Sequence, residues 1–483
     1  MKKSATKNYL YNLAYQILSI ILPLITAPYV SRILGAENLG IYSYTLSIVT
    51  YFILFGSLGV ALYGQREIAY VQDNMEQRSK VFFELFIFRS IAMIASMLVF
   101  YFSFVFTNND YSNYFFILLL EMLASTIDIS WFFQGMEDFK KTVCRSLVVK
   151  AISIISIFIF VKSKEDLPLY FLIYVLSNLL GNLTLWLYLP TFIKRVKIKS
   201  LRIIRHIKPT LVLFIPQIAI QIYTVLDKTM IGTIINDKSE TGFYDQAQKI
   251  IKMLLMIVTA MGTVMLPRIA NNFAKKDFDG IRKHIYRSFD AALLISLPII
   301  AGICACSDLF VPKFFGDGYD KVALLMKIIS PIVLLIGLSN VIGTQYLLPT
   351  KRQLQFTISV ILGAVVNFCL NMLLIPQLGA LGASIGTVVA EFSVTLCQYL
   401  YVRKTFDISR VLKSFLRYGF YSLVMYLTCF GLSFIPLKDT YVLIIQATGG
   451  MIIYALLLVL LKDPIFIQIK DKAIDAIKKR SAR

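Results

Sequence analysis

Between residues 32 and 42 the chain reads Arg32-Ile-Leu-Gly-Ala-Glu-Asn-Leu-Gly40-Ile-Tyr42, with an apolar run on either side, 9–31 and 39–63. Each run is close to the ~20 apolar residues that cross a hydrocarbon core, so the polar stretch is the turn of a membrane hairpin. The same pattern returns about 200 residues later as Ile234-Ile-Asn-Asp-Lys-Ser-Glu-Thr-Gly242-Phe-Tyr244. An acidic or amide-rich turn closing with Gly-[Ile/Phe]-Tyr thus stands at corresponding points of two halves. A repeat in the same orientation relates two lobes by an axis along the membrane normal.

Working outward from these hairpins gives spans at 9–31, 39–63, 81–106, 114–134, 143–161, 167–192, 211–235, 244–266, 288–311, 322–348, 354–375, 380–402, 413–435 and 440–461. The chain is expected to be an all-α polytopic membrane protein with 14 transmembrane helices. Two six-helix lobes, 1–200 and 201–405, are followed by an extra helix pair, 406–463, and a basic tail, 464–483. The charges check the count independently. Most of the 49 Lys and Arg residues fall on the side holding both termini; the loops on the other side hold only Arg32, Lys162, Lys164, Lys238, Lys313, Lys321 and Lys438. The positive-inside rule then makes both termini cytoplasmic.

The net charge of +21 sits in short loops, where anionic lipid and insertion topology account for it, so nucleic acid is not expected as a partner. The run after Met1-Lys-Lys is too long for a signal peptide and has no small-residue cleavage site behind it, so it reads as a retained span. Five of the six cysteines lie within spans and Cys144 sits at a cytoplasmic edge, which gives no disulfide framework. The two histidines, His206 and His284, read as solvated loop residues. No metal, cofactor or catalytic residue is expected. The junction 192–209 and the tail alternate basic and apolar residues, as strips lying on headgroups do.

Polar stripes at helical spacing mark a water-filled path or a helix contact, because a lipid-facing helix has no use for them. The first span carries Asn8, Asn12, Tyr15, Ser19 and Thr26, and the seventh carries Gln217, Gln221, Thr224 and Lys228. Asn12, Ser19, Gln217, Gln221 and Thr224 are read as lining a cavity. Further stripes run through Asp245, Lys249, Lys252 and Thr259, and through Ser384, Thr387, Glu391, Thr395 and Gln398. A charge at the bilayer centre costs about 2.5–3.5 kcal/mol, so intramembrane charges face a cavity or one another. Near span ends, as at Glu84, Asp290 and Lys327, a side chain can instead snorkel to the interface. Arg32, Arg89, Lys150, Lys228, Lys249 and Lys252 form a cationic set suited to an anionic substrate such as a phosphate. Asp128, Asp227 and Glu391 are the candidates for coupling to a proton or sodium ion.

Three stretches resemble a known family. Ser125-Thr-Ile-Asp128-Ile-Ser-Trp131-Phe-Phe-Gln134-Gly135-Met-Glu-Asp-Phe-Lys140, the element Gly379-Ala-Leu-Gly-Ala-Ser-Ile-Gly386 and the Arg32-Ile-Leu-Gly turn are similar to those of the Wzx-type polysaccharide transporters. These are flippases in the superfamily of multidrug extruders and lipid II flippases. The resemblance covers essentially the whole chain, and Asp-x-x-Trp-Phe-Phe-Gln-Gly is its most specific part. It implies two lobes alternating between inward and outward openings around a cationic central cavity in the cytoplasmic membrane. The implied cargo is an undecaprenyl-diphosphate-linked oligosaccharide for capsule, exopolysaccharide or O-antigen assembly. Its tail stays among the membrane lipids, and polymerase and chain-length or export proteins of the pathway are the implied partners. Carry-over by residue is limited to Arg32 and the stretch from Asp128 to Gly135.

Three rivals remain at this stage. A lipid II or other cell-wall precursor flippase would need the same cations. A cation-coupled drug extruder of the same fold would need a dominant acidic site, against which Lys150 and Lys252 stand. A membrane polysaccharide polymerase, the enzymatic rival, would need a large loop domain, whereas every external loop here is about ten residues or shorter.

Overall fold

The computed structural model describes residues 5–107, 110–464 and 467. Side chains are described outside 5–23, 139–142, 144, 198, 215–217, 219–220, 222–223, 261 and 263–264. The described chain is all-helical: α1 (Ala5–Ser57), α2 (Val60–Tyr70), α3 (Met75–Phe100), α4 (Ser112–Thr126), α5 (Ser130–Gly135), α6 (Phe139–Phe160), α7 (Leu167–Tyr188), α8 (Ile207–Ile234), α9 (Ser239–Ala274), α10 (Phe278–Phe315), α11 (Asp320–Ile329), α12 (Ile332–Ser339), α13 (Gln353–Leu378), α14 (Ala380–Val402), α15 (Ile408–Leu432) and α16 (Asp439–Leu460). Among the described residues ten helical stretches are long and apolar enough to cross a membrane, which makes this a multi-pass membrane protein.

The hairpin that opens the sequence is tighter than a loop. Helical geometry runs through it with one break, at Gly35 (φ 78°, ψ 171°), so the first two apolar runs belong to α1 on either side of a kink. That φ favours glycine. The next two expected crossings have identifiable bodies. Helix α3 passes into a π-helical end at Tyr101–Val105, and α4 and α5 are separated by the turn at 127–129. The expected spans at 143–161, 211–235 and 413–435 coincide with α6, α8 and α15, which carry Arg145 and Lys150, Asp227 and Lys228, and Lys413 and Arg417.

The chain forms two compact units, Met1–Gly242 and Phe243–Arg483. In the first, α1 packs against α3, α4, α6 and α8, and α4 packs against α7. Its core is aromatic: Tyr42 meets the rings of Tyr170, Phe171 and Tyr174 at centroid distances of 5.0–5.7 Å. A second cluster stacks Trp131 on Phe82 at 5.7 Å and sets Phe132 edge-on to Phe82 at 5.2 Å. In the second unit α10 packs against α15, α11 and α12, and α13 lies along α14. Small residues allow that last pairing. Gly382 faces the Leu374 carbonyl and Gly386 faces the Asn371 amide, each too close for a Cβ.

The two Gly-x-Tyr segments meet in the first unit. A Cβ on Gly40 would lie 1.7 Å from the Lys238 carbonyl oxygen and 3.1 Å from the Gly242 nitrogen, and one on Gly242 would lie 2.1 Å from the Ala36 carbonyl oxygen and 3.1 Å from the Gly40 nitrogen. The contact is reciprocal, backbone on backbone, and only glycine permits it. Both glycines lie in the opening turns of helical segments, not in the preceding turns where the sequence pattern puts them.

Candidate functional site

The polar side chains of the first unit form a ladder across α3, α4, α6 and α7. Arg89 is buried in α3, where Nη1 donates to the Asp128 carbonyl (2.7 Å) and Nη2 to Ser125 Oγ (3.3 Å). Arg145 on α6 donates to the Gly181 carbonyl (3.0 Å) and Asn182 Oδ1 (2.8 Å), and Asn182 Nδ2 donates to the Ala124 carbonyl (2.8 Å). One turn earlier on α7, Asn178 Nδ2 donates to both oxygens of Glu121, each at 3.0 Å. Every rung joins different helices and satisfies a group that would be costly if left unpaired at this depth.

Asp128 is half-buried. Its carboxylate accepts from Ser130 N (2.9 Å) and Ser130 Oγ (3.1 Å), a turn that leads into the short helix carrying the Trp-Phe-Phe-Gln-Gly motif. Trp131, Phe132, Phe133 and Gly135 are buried. Gly135 sits against the Gln65 carbonyl and Ile68, and Gly64 against the Trp131 ring, each too close for a Cβ. The most specific motif in the chain is therefore a packing node between α2 and α5, held in place by Arg89.

The other cations are less enclosed. Arg32 and Lys252 are exposed, and Lys150, Lys228 and Lys249 are half-buried. Lys249 pairs with Asp245 at 2.6 Å, one helical turn away. Asp227 is buried beside Thr229, whose hydroxyl lies 2.8 Å from Ser47 Oγ and donates to the Tyr51 hydroxyl (3.3 Å), so α1 and α8 share a polar seam next to Lys228. Gln221 is half-buried, and Thr224 is exposed with its hydroxyl turned to the Gln221 carbonyl (2.9 Å). The side chains of Asn12, Ser19 and Gln217 lie outside the described residues.

The stripe on α14 departs from the cavity reading. Ser384, Thr387, Glu391 and Gln398 are buried. Thr387 bonds the Tyr244 hydroxyl (2.9 Å), Thr395 donates to the Leu335 carbonyl (3.0 Å), and Gln398 donates to Ser359 Oγ (3.1 Å). Those three side chains fasten α14 to α9, α12 and α13, because a polar group between apolar helices gains most by pairing with a neighbour.

Two groups were misplaced from sequence. His206 is buried (2% exposed), not solvated: Nε2 faces Glu84 Oε2 at 2.8 Å and Nδ1 faces the Tyr63 hydroxyl at 2.9 Å. With Nε2–H donating to the carboxylate, Nδ1 is the ring nitrogen left to accept from the Tyr63 hydroxyl. Glu84 also accepts from Arg202 N (2.6 Å) and from Arg205 Nε (3.0 Å) and Nη2 (2.5 Å), and it is buried (1% exposed) instead of snorkelling to an interface. The basic junction is thus tied down at both ends. At its start Arg78 Nε donates to the Phe192 carbonyl (2.9 Å), Arg78 Nη1 reaches the Gln72 carbonyl, and Ser79 Oγ accepts from Lys194 N (2.9 Å).

Lys238, in the loop before α9, is also buried. Its ammonium donates to the Gly232 (2.5 Å) and Ile235 (3.0 Å) carbonyls and lies 5.1 Å from the Tyr44 ring centre and 5.9 Å from that of Tyr111. Burial pushes its pKa below the ordinary lysine value, and the neighbouring Asp237 pulls it back.

Nearly all of the first unit, together with the part of α9 that carries Lys249 and Lys252, falls within the range matched by a family model described as "Polysaccharide biosynthesis protein", residues 5–273. The chain belongs to that family. The polysaccharide biosynthesis model takes in more than half of the sequence, and a second model, MatE, matches residues 213–373. A protein of Escherichia coli (strain K12) named "Putative O-antigen transporter" is 26% identical over 407 residues, covering 83% of this chain and 97% of that protein. The fold is shared with a solved lipid II flippase MurJ in an inward closed conformation, with TM-score 0.76 at 18% identity over 95% of this chain and 100% of that one. An inward-facing multidrug resistance MATE family transporter gives TM-score 0.64 at 14% identity, over 84% and 99%. The chain is thus similar to Wzx-type flippases and to other members of the multidrug/oligosaccharidyl-lipid/polysaccharide exporter superfamily.

Proposed function

We propose that this polysaccharide family member flips an undecaprenyl-diphosphate-linked oligosaccharide repeat unit from the inner to the outer leaflet of the cytoplasmic membrane. The chain crosses the membrane 14 times with both termini in the cytoplasm, and two six-helix lobes work by alternating access through a cationic cavity. The observation that carries the reading is the polysaccharide family match over 5–273, the part of the chain that holds Arg32, Arg89, Lys150, Lys228, Lys249 and Lys252. A diphosphate carries about two negative charges, and each gains ~2.3 kcal/mol per 100 mV on leaving a negative cytoplasm, so the membrane potential supplies direction.

Roles divide by exposure. Arg32, Lys150, Lys228, Lys249 and Lys252 meet the diphosphate; Arg89 holds the α4–α5 turn; Gln217, Gln221, Thr224, Asn12 and Ser19 line the sugar's path. Asp128, Asp227 and Glu391 are the sites at which an ion could couple. The product feeds polymerase and chain-length or export proteins. The test is a cell that lacks its own repeat-unit flippase and carries this gene. Surface polymer should return and the lipid-linked repeat unit should stop accumulating inside; persistent accumulation with the protein present in the membrane rejects the reading. A lipid II flippase would instead rescue cell-wall synthesis, which a parallel depletion strain reads out.

A further inference from the structure

The second unit contains a charged cleft that the flipping mechanism does not use. Its walls are the start of α10, with Lys283, Arg287 and Asp290, and the start of α15, with Asp407, Arg410, Lys413, Ser414 and Arg417, and Pro464 closes one end; its volume is about 710 Å³. Cations outnumber carboxylates five to two along this lining. Both carboxylates are already engaged. Asp290 accepts from Ser414 Oγ at 2.5 Å, and Asp407 caps α15 by accepting from Ser409 N at 2.9 Å.

The cations divide as well. Arg417 is matched by Asp463, Nε to Oδ2 at 3.4 Å. Arg410 lies over the Tyr286 ring with its guanidinium carbon 4.3 Å from the ring centre, a contact that orients it without neutralising it. Among the described residues, Lys283, Arg287, Arg410 and Lys413 form no ion pair. Positive groups from two helices thus converge on a cleft whose own acids are turned to other partners, an arrangement that lowers the energy of an oxyanion placed there.

We infer that this cleft is a phosphate-binding site, and that the phosphate it takes is the headgroup of an anionic phospholipid. The far side of α15 supports the lipid source. Ile408, Leu412, Phe415 and Leu416 are exposed on the face of α15 turned away from the cleft residues, so this end of the helix is bathed in lipid and the cleft opens at headgroup level, where a phosphate can sit among Arg287, Arg410 and Lys413. The basic loops on this side are the ones the charge distribution assigns to the cytoplasm, so the lipid belongs to the inner leaflet. Binding here would tie the extra helix pair to α10 and is separate from the cargo site.

The experiment follows thermal unfolding of the purified full-length protein in a non-ionic detergent. Short-chain phosphatidylglycerol, short-chain phosphatidylcholine and inorganic phosphate are titrated separately. Phosphatidylglycerol should raise the midpoint saturably and phosphatidylcholine should not. In Arg287→Gln/Lys413→Gln the half-saturating concentration should rise about tenfold or more, the size of one lost charge-assisted contact. Lys283→Gln provides a second, milder variant, and Lys164→Gln/Lys438→Gln removes two exposed cations from loops on the other side of the membrane and should leave the titration unchanged. Inorganic phosphate acting as strongly as the lipid, and losing its effect in the double variant, would keep the site but make its ligand a free anion. Equal stabilisation by phosphatidylcholine, no stabilisation by any of the three, or an unchanged titration in both cleft variants would overturn it.

Discussion

Replacing Glu84 with alanine should free the junction between the two halves of the sequence. In the intact protein the carboxylate receives four donors, from Arg202 N, Arg205 Nε, Arg205 Nη2 and His206 Nε2, at 2.5–3.0 Å. Three effects set the cost. His206 is buried and loses its acceptor, which costs ~1–3 kcal/mol. The Arg205 side chain is 49% exposed, so water replaces much of that pair and the loss is at most about 1 kcal/mol. Removing a buried charge gives back part of the total by ending its desolvation. A net of about 1–3 kcal/mol follows, which raises the open population of 193–206 by roughly 5- to 150-fold.

Trypsin reads this directly, because Arg202 and Arg205 are cleavage sites within the segment and cleavage tracks the open population when reclosing is fast. In detergent the Glu84→Ala protein should be cut there roughly 5- to 150-fold faster than the parent, and Glu84→Gln should fall between the two. His206→Ala combined with Glu84→Ala should cost less than the two separately. Parent-like cleavage in Glu84→Ala would refute the latch, and so would faster cleavage spread evenly over all cytoplasmic loops.

Three further outcomes are expected. Gly40→Ala and Gly242→Ala drive a Cβ into backbone oxygens at 1.7 and 2.1 Å and should lower the unfolding midpoint by an overpacking cost of about 1–3 kcal/mol, whereas Gly419→Ala, with open space around it, should be neutral or stabilising. Cysteine at Asn236, exposed in the loop before α9, should label from outside intact cells while cysteine at Lys275 should not; external labelling at Lys275 would break the 14-span topology. Lys150→Ala and Lys252→Ala should each abolish polymer export at normal membrane levels, with Arg at either position restoring part of it.

What could be read from sequence was whatever repeats at short range. Apolar runs and basic loops marked the helices, and the two Gly-x-Tyr segments gave the positions of the reciprocal contact at Gly40 and Gly242. The kink at Gly35 was legible only as a polar interruption, because a single residue at positive φ breaks the helix without any loop. Partners far apart in sequence were not legible. Glu84 stood out as a charge near the end of a span, but its acceptor role depends on Arg205 and His206, more than 100 residues on, and nothing around His206 distinguishes it from a solvated loop histidine. The α14 stripe shows the same limit from the other side. Helical spacing reveals a polar face, but only the neighbouring helices decide whether that face meets water or a bonded partner.

The central claim is that this chain carries a lipid-linked diphosphate oligosaccharide across the membrane by way of its cations. The most direct measurement places the purified protein in vesicles with a labelled undecaprenyl-diphosphate oligosaccharide and follows the fraction of label accessible to an impermeant glycosidase. A potential oriented to favour outward movement of negative charge should speed transfer, and Lys150→Ala or Lys252→Ala should reduce it to the rate of empty vesicles. Transfer no faster than in empty vesicles, or transfer that both neutral variants perform at the parent rate, would contradict the account.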